Sequence, residues 1–463
     1  MKKGLRWIVV GSGAVIVVLV VGWGVWNAVS GARLRAALDD IGASGLPTRI
    51  EDILPSPVPD EQNAALLLNR AFLLMAGGKT ESGAQLPALA ELGSYWKKDP
   101  REQLSAADAG AIKGRLDAPD IREILELLHG AADRPKCDFG LDYSKGAELP
   151  LPHLAKMQSA ARLLALDAWS RASGGDAEGA MRSMRCGLRM GGFSFGDGLL
   201  ISWLVGAACD TATLNWAGAS LGRFDPGAVP PDALEALSRE WVARRAEARS
   251  AFVRTTDTER LAFGAWAFEG VLAGRLRLPR IFAPLENAIS SSGPGILRAS
   301  AIDSYAWMGR PLLKEDYLAY LGLMLRYREM AAKPCDVAAA DEFDRLLREV
   351  PKTAFLTRMT VPAYGTCVRR AGEYEVLLGV AQVGLALEIS RARSGAYPER
   401  LSDVRGIGDA ARDPFSGGEL LCRREGDGCR VWSVGPDGKD DGGVRRVGGA
   451  KTYDIVWEVR RKP

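Results

Sequence analysis

Residues 154–190 read LAKMQSAARLLALDAWSRASGGDAEGAMRSMRCGLRM, and this stretch sets the fold class. Leu154, Met157, Ala161, Leu164, Ala168 and Trp169 recur largely at three- and four-residue steps, the spacing that gathers side chains on one face of a helix. Gly174, Gly175 and Asp176 then interrupt the pattern, and helical spacing resumes over 177–190. Asp176 is placed to cap the second helix and Glu178 to complement its dipole. The stretch therefore predicts an antiparallel helical hairpin.

Similar patterns extend in both directions. Helices are predicted over 64–75, with Asp60 as N-cap, and over 105–115, 119–130, 199–214, 314–332, 338–350 and 371–393. Asp232 is placed to cap a further helix running to about residue 252. Pro47, Pro55, Pro57 and Pro59 are incompatible with helix and mark a linker, as do three prolines within 225–231. Residues 274–313, rich in Gly, Pro and Ser, read as a long irregular connection. The hairpin has the small residues and turn of a tetratricopeptide unit. No 34-residue recurrence accompanies it, so an irregular α-helical domain is expected.

At the N-terminus, 26 residues between Arg6 and Arg33 carry no charge. About 20 residues at ~1.5 Å each cross a ~30 Å hydrocarbon core. Trp7 lies near one end of the run and Trp23 and Trp26 near the other, where indoles favour the two membrane interfaces. The run exceeds the roughly 7–15 apolar residues of a cleaved signal. An uncleaved, single-pass signal anchor is therefore expected over 7–30, although Lys2, Lys3 and Arg6 also suit a signal peptide and Ala28 and Ser30 a cleavage site. Three basic residues ahead of the span predict a cytoplasmic N-terminus at 1–6, with the rest of the chain outside the cytoplasm.

Composition excludes several function classes. Sixty Lys and Arg against 57 Asp and Glu leave a formal charge of +3, too balanced to predict nucleic-acid binding. Two histidines, His129 and His153, give His-rich metal sites and His-based triads little to work with. Seven cysteines show no zinc-like spacing, and Cys422 and Cys429 fall in diagonal register on a predicted hairpin, beyond easy disulfide reach, so mostly buried thiols are expected. No Gly-x-Ser-x-Gly elbow, Walker loop or His-Glu-x-x-His occurs. Carboxylates in apolar helical context, Asp210, Glu259, Glu269 and Asp303, and the pair Ser194 and His153 are the residues an enzyme would use, yet each reads more simply as a capped, paired or surface group. Arg239, Arg244, Arg245 and Arg249 form a basic helix face suited to an anionic partner. Glu235, Glu240 and Glu247 on the same helix predict instead a neutralised, solvated face.

From Leu401 onward Gly becomes dense and short β runs appear. Runs over 419–424 and 430–434 flank Gly426-Asp427-Gly428, a hairpin signal, and 453–459 reads as a third strand. Between the second and third lies a Gly-rich loop in which Asp437, Asp440 and Asp441 repel one another unless solvated or bridged by a cation.

Gly395, Tyr397, Pro398 and Leu401, then Asp413-Pro414-Phe415 with Gly417, then Trp432-Ser433-Val434-Gly435 with Asp437-Gly438, and finally Asp454-Ile455, resemble the C-terminal half of the major pseudopilin of type II secretion. The resemblance covers about 90 residues, from Ala371 onward. It implies a long helix leading into the Tyr-Pro turn and a small antiparallel sheet whose loop binds calcium, with Asp437, Asp440, Asp441 and Asp454 as candidate oxygen ligands. The N-terminal part departs from that family. The fifth residue after Gly4 is Val9 where a pseudopilin carries Glu, and about 340 residues separate the span from the matching helix. As a whole the chain resembles bacterial membrane-anchored proteins in which a helical body carries this module.

The sequence thus predicts a mainly α protein with an N-terminal transmembrane helix, an irregular α-helical domain and a small C-terminal α+β pseudopilin-like module with an antiparallel sheet. The expected divisions are a cytoplasmic 1–6, a span at 7–30, a juxtamembrane helix and Pro-rich linker at 31–59, a helical extracytoplasmic domain at 60–370 and the module at 371–463. The expected location is the inner membrane with the bulk of the chain periplasmic. The expected role is a non-enzymatic envelope scaffold or interaction protein linked to secretion or pilus-like machinery, with the bilayer and an envelope protein as partners. No organic cofactor and no nucleic acid is expected, and calcium is the implied ion. The alternative is a membrane-tethered hydrolase with its site in the helical domain.

Overall fold

A computed structural model describes residues 2–76, 92–98, 104–225, 227–274, 309–333, 337–361, 363–445 and 453–460. The chain is mainly helical, with one three-stranded antiparallel sheet near its C-terminus.

Helix α1 (Lys2–Ala43) runs unbroken from the apolar segment into the body. It is the one described helix long and apolar enough to cross a membrane. Along 15–21 its Val, Ile and Leu side chains are 58–70% exposed, whereas Leu34 and Ile41 are buried in the main core. One helix therefore has a bare apolar stretch at 15–21 and a later portion that packs on the body. The expected juxtamembrane helix is its continuation. After it, the Pro-rich segment crosses the body, where Pro47 O accepts a hydrogen bond from Arg260.

Helix α2 (Ala64–Met75) is capped by Asn63 rather than Asp60. Asp60 opens a single 3₁₀ turn, Asp60–Gln62, and Asn63 has the extended backbone that a cap requires. The Asn63 side chain also bridges to the backbone of Asp138, so tertiary pairing selects it. Helices α3 (Ala106–Leu116) and α4 (Pro119–Ala132) follow, the first opened by a Ser105–Asp108 capping box and the second by Pro119.

The hairpin forms as the sequence predicts. Helices α5 (Leu154–Ser173) and α6 (Ala177–Gly196) join through Gly174 and Gly175. Gly175 takes φ +79°, and Asp176 accepts the Gly179 N–H at 2.9 Å. Helix α7 (Leu200–Leu221) completes a three-helix layer in which Trp169 and Trp216 meet edge to face at 6.1 Å. Helices α2, α3 and α4 cover one side of this layer and share a second apolar core with it.

Helix α8 (Pro231–Thr258) starts at Pro231, with Asp232 in its first turn rather than at the cap. It continues past residue 252 into a π-helical turn, Glu259–Ala265, and then α9 (Trp266–Leu272). Helix α10 (Arg310–Ala331) lies along α1, and α11 (Val337–Glu349) and α12 (Phe355–Thr360) lead to the 32-residue α13 (Ala363–Ser394). Most of the connection expected over 274–313, together with Asp303, lies outside the described residues.

Strands β1 (Leu421–Glu425), β2 (Gly428–Ser433) and β3 (Ile455–Val459) form the predicted antiparallel order. Cys422 pairs with Val431 and Cys429 with Arg424, the diagonal register expected, and the described cysteines form no disulfide. Cys335 lies outside the described residues. The sheet lies on α13 and α7 by way of glycines: a Cβ on Gly384 would fall 2.0 Å from the Trp457 ring, and one on Gly218 2.3 Å from the Glu458 carbonyl. Trp457 also donates its indole N–H to Leu214 O at 3.0 Å. Val431, Trp457 and Val459 consequently belong to the same apolar core as Leu34 of α1, Trp241 of α8 and Tyr317 of α10. The predicted boundary at 370/371 falls within this single core.

Candidate functional site

Helix α8 has a groove on each side. The first, about 990 Å³, lies between α8, α13 and the 405–417 segment. The second, about 1,050 Å³, lies between α8, α6 and the 228–230 turn. They are similar in size, but one is charge-balanced and the other carries an excess of arginine.

In the second groove the charges are matched. Arg182 pairs with Asp133 at 3.2 Å, Arg185 with Glu240 at 2.7 Å and Arg244 with Glu247 at 2.6 Å, while Arg189 donates to the carbonyls of Ala132, Arg134 and Pro135. The first groove has six arginines against three carboxylates, Glu235, Glu375 and Asp409. Glu235 is paired to Arg393, and Glu375 serves both Arg245 and Arg249. The side chains of Arg239, Arg405 and Arg412 are exposed and make no ion pair or hydrogen bond among the described residues. Burial pushes the Arg245 guanidinium down, only partly offset by Asp409.

This corrects the solvated helix face predicted for α8. Glu235 and Glu240 neutralise arginines of α13 and α6, not those of their own helix, and Arg244 is buried at 5% exposure. Sequence reading found Arg239, Arg245 and Arg249 but not Glu375, Arg393, Arg405 or Arg412. Glu375 and Arg393 lie on α13 and Arg405 and Arg412 in the 405–417 segment, distant from α8 in sequence and sharing no local pattern with it.

Beneath the grooves lies a buried polar layer. Asp210 is fully buried, accepts the Tyr374 hydroxyl at 2.5 Å and lies 3.4 Å from Arg244 Nε without forming a hydrogen bond to it. Burial raises its carboxyl to about 7 against the pull of Arg244 and Tyr374. Glu259, at the first position of the π turn, accepts the Leu200 N–H at 3.0 Å and the Tyr364 hydroxyl at 3.2 Å. Burial likewise pushes it up to about 7. Neither carboxylate lines either groove. Glu259 is held by a helix end and a tyrosine, and Asp210 by a tyrosine and the buried Arg244, which suits packing roles. Glu269 is exposed and 3.4 Å from the Tyr317 hydroxyl.

Both histidines lie beside a serine and an aspartate, but in the wrong order for catalysis. A triad needs the imidazole between carboxylate and hydroxyl. Here Ser202 donates directly to Asp197 Oδ2 at 2.7 Å, the same oxygen that His153 Nε2 approaches at 2.9 Å. Ser183 donates to Asp167 and lies 3.2 Å from His129 Nε2. Each hydroxyl proton is held by a carboxylate, and both serines are buried. Burial also pushes the His129 imidazole below its ordinary value. Ser194, the candidate nucleophile, donates to Met190 O inside its own helix.

The four aspartates of the C-terminal loop do different things. Asp454 accepts the N–H groups of Gly443, Val444 and Asp441 at 2.7, 3.1 and 3.3 Å, tying the loop to β3. Asp440 accepts the Trp432 indole and the Gly442 N–H, both at 2.9 Å. Asp437 Oδ1 accepts the Lys439 N–H at 3.2 Å. Asp437 Oδ2 and Asp441 Oδ2 are buried atoms without a hydrogen-bond partner. Among the described residues no three His, Cys, Asp or Glu side chains are grouped to hold a metal ion. Asp413, which the sequence placed in a motif but not in the site, is buried and accepts from Ser433 and Val434 of the second strand and its exit.

Fold and site together define a helical protein with one N-terminal helix long and apolar enough to cross a membrane and a body with two arginine-lined grooves. Compared with protein-family models, with curated proteins and with solved structures, the chain matches none.

Proposed function

We propose that the chain is a non-enzymatic, single-pass inner-membrane protein that presents its helical body outside the cytoplasm as a scaffold for an envelope protein. The observation that carries this reading is the continuity of α1: one helix enters the core at Leu34 and Ile41 while its 15–21 segment stays bare. A body built around its own anchor is held at the bilayer surface rather than tethered at a distance. The order of the Ser, His and Asp side chains and the separation of Asp210 and Glu259 from both grooves argue against the hydrolase alternative.

The C-terminal unit supports a pseudopilin-like origin. A long helix, α13, leads into the Tyr397-Pro398 turn, and a three-stranded antiparallel sheet carries the acidic loop between its last two strands. In this reading calcium, if taken up, uses the orphaned oxygens of Asp437 and Asp441 together with backbone carbonyls and water. Asp440 and Asp454 then hold the loop rather than the ion.

Mild-detergent extraction of native membranes tests the scaffold reading. The chain is expected to migrate well above its 49.7 kDa in a discrete complex. Migration alone, with turnover of ester, amide or glycoside substrates by the purified protein, overturns it. Reporter fusions after Arg35 that are active only in the cytoplasm overturn the orientation.

A further inference from the structure

We infer that the groove between α8, α13 and the 405–417 segment binds a short acidic peptide segment that also carries apolar side chains. The inference rests on the interaction-protein reading and names the chemistry of the partner. Three observations carry it. The groove lining holds six arginines against three carboxylates, an excess of three positive charges. The equally large groove on the other side of α8 neutralises its own arginines, so the imbalance is not a general property of this helix. Between the arginines the surface is apolar: Val242 is 52% exposed, beside Ala246, Ala386, Ile389 and Ile407.

That combination selects among anions. Free phosphate needs only the cations and gains nothing from an apolar floor, whereas a chain of alternating acidic and apolar side chains satisfies both. A volume of about 990 Å³ is also at the upper end of small-molecule sites, ~300–1,000 Å³. Among the described residues Arg239, Arg405 and Arg412 have no partner to give up, so pairing them with carboxylates costs their hydration and side-chain freedom but breaks no existing ion pair there. Arg245 is already partly desolvated, which strengthens any carboxylate that reaches it.

The test uses the full chain in nanodiscs of zwitterionic lipid and a fluorescein-labelled hexapeptide of alternating leucine and glutamate, read by anisotropy. Saturable binding is expected, weakening several-fold between 50 and 200 mM salt. The double variant Arg405→Glu/Arg412→Glu, on two exposed side chains, is expected to lose at least about tenfold in affinity while keeping its circular dichroism and melting temperature. Arg326→Glu, elsewhere on the surface, is expected to bind normally. No binding, or equal binding by the reversed variant, overturns the inference. A serine–glutamate hexapeptide or pyrophosphate binding as tightly also overturns it, since the apolar floor would then play no part. So does self-association of the chain that the double variant abolishes, which would make a second copy the occupant. If the native complex persists in the double variant, the scaffold reading stands and the groove assignment falls. If the native protein forms no complex, the scaffold reading falls whatever the peptide does.

Discussion

Lys314 Nζ donates to both oxygens of Asn27, the backbone carbonyl at 2.9 Å and the side-chain oxygen at 2.8 Å, and so fastens α10 to α1 where the anchor leaves its bare segment. Nearly two turns further along α1, Arg33 reaches both oxygens of Glu315, at 2.8 and 2.9 Å. A Cβ on Gly31 would lie 3.1 Å from Lys314 Nζ, so a larger residue there would press on this lysine. The angle between anchor and body is thus set by specific polar contacts as well as by Leu34 and Ile41.

Lys314→Met should loosen that junction without releasing the protein from the membrane. The lysine is part-buried and its two bonds include one to a backbone carbonyl, so a cost of about 1 kcal/mol is expected. Spin labels on α1 and α10 should show a broadened distance distribution in the variant, with membrane fractionation unchanged. An unaltered distribution would show that apolar packing alone fixes the angle.

Gly384→Ala should destabilise the seat of the sheet. The added methyl would meet Trp457 Cε3 at 2.0 Å, against a ring that is 1% exposed, and overpacking of this kind costs about 1–3 kcal/mol. Trp457→Leu alone loses ring burial and should cost more, about 3 kcal/mol. In the double variant the two penalties should fall short of their sum, because the smaller side chain leaves space for the methyl. Thermal melts of the four proteins measure this directly; strict additivity would mean that residue 384 and the ring do not meet.

These contacts show what the sequence discloses and what it does not. The α5–α6 hairpin was legible because its signals are local: apolar spacing on one face, two glycines and a capping Asp176. The hairpin turn at Gly426-Asp427 was legible for the same reason, with Glu425 opposite Gly428. The π turn was not, because residues 259–265 look like ordinary helix. What accompanies the turn is distant, a Tyr320 ring that would lie 2.1 Å from any Cβ on Gly264 and a Tyr364 hydroxyl on Glu259. Asp60 and Asn63 are equally good caps in isolation, and only the bridge from Asn63 to Asp138 decides between them. The first groove was half legible: α8 announced its arginines, while two of the three carboxylates expected to neutralise them, Glu235 and Glu240, turned out to serve other helices, and only Glu247 pairs within α8, with Arg244.

For the acidic loop, calcium should raise the melting temperature of the native chain, and chelation should reverse the rise. Asp437→Asn and Asp441→Asn should each abolish the shift, since these side chains carry the oxygens without partners. Trp432→Phe, which frees Asp440 from its indole, should leave it intact. A melting temperature indifferent to both calcium and chelator, with no metal in the purified protein, would end the calcium reading.

Glu259 predicts a pH dependence of stability whose sign is set by burial. Its folded-state carboxyl is raised from 4.5 to about 7 because desolvation outweighs the hydrogen bonds from Leu200 and Tyr364. Between roughly pH 4.5 and 7 the folded protein therefore binds more protons at this site than the unfolded chain, and stability falls as pH rises through that window. Asp210, raised from 3.8 to about 7, acts in the same direction. Glu259→Gln keeps an acceptor for the Leu200 N–H and offers its amide to the Tyr364 oxygen, but cannot ionise. The variant should lose less stability than the native chain between pH 5 and pH 8, by up to about 3 kcal/mol. Asp210→Asn is the poorer probe, since it leaves buried Arg244 with only Glu247 as its counter-ion. Denaturant melts of the native and Glu259→Gln proteins across that range decide the matter: parallel profiles would mean that Glu259 is ionised in the folded state, with its charge balanced by groups other than Leu200 and Tyr364.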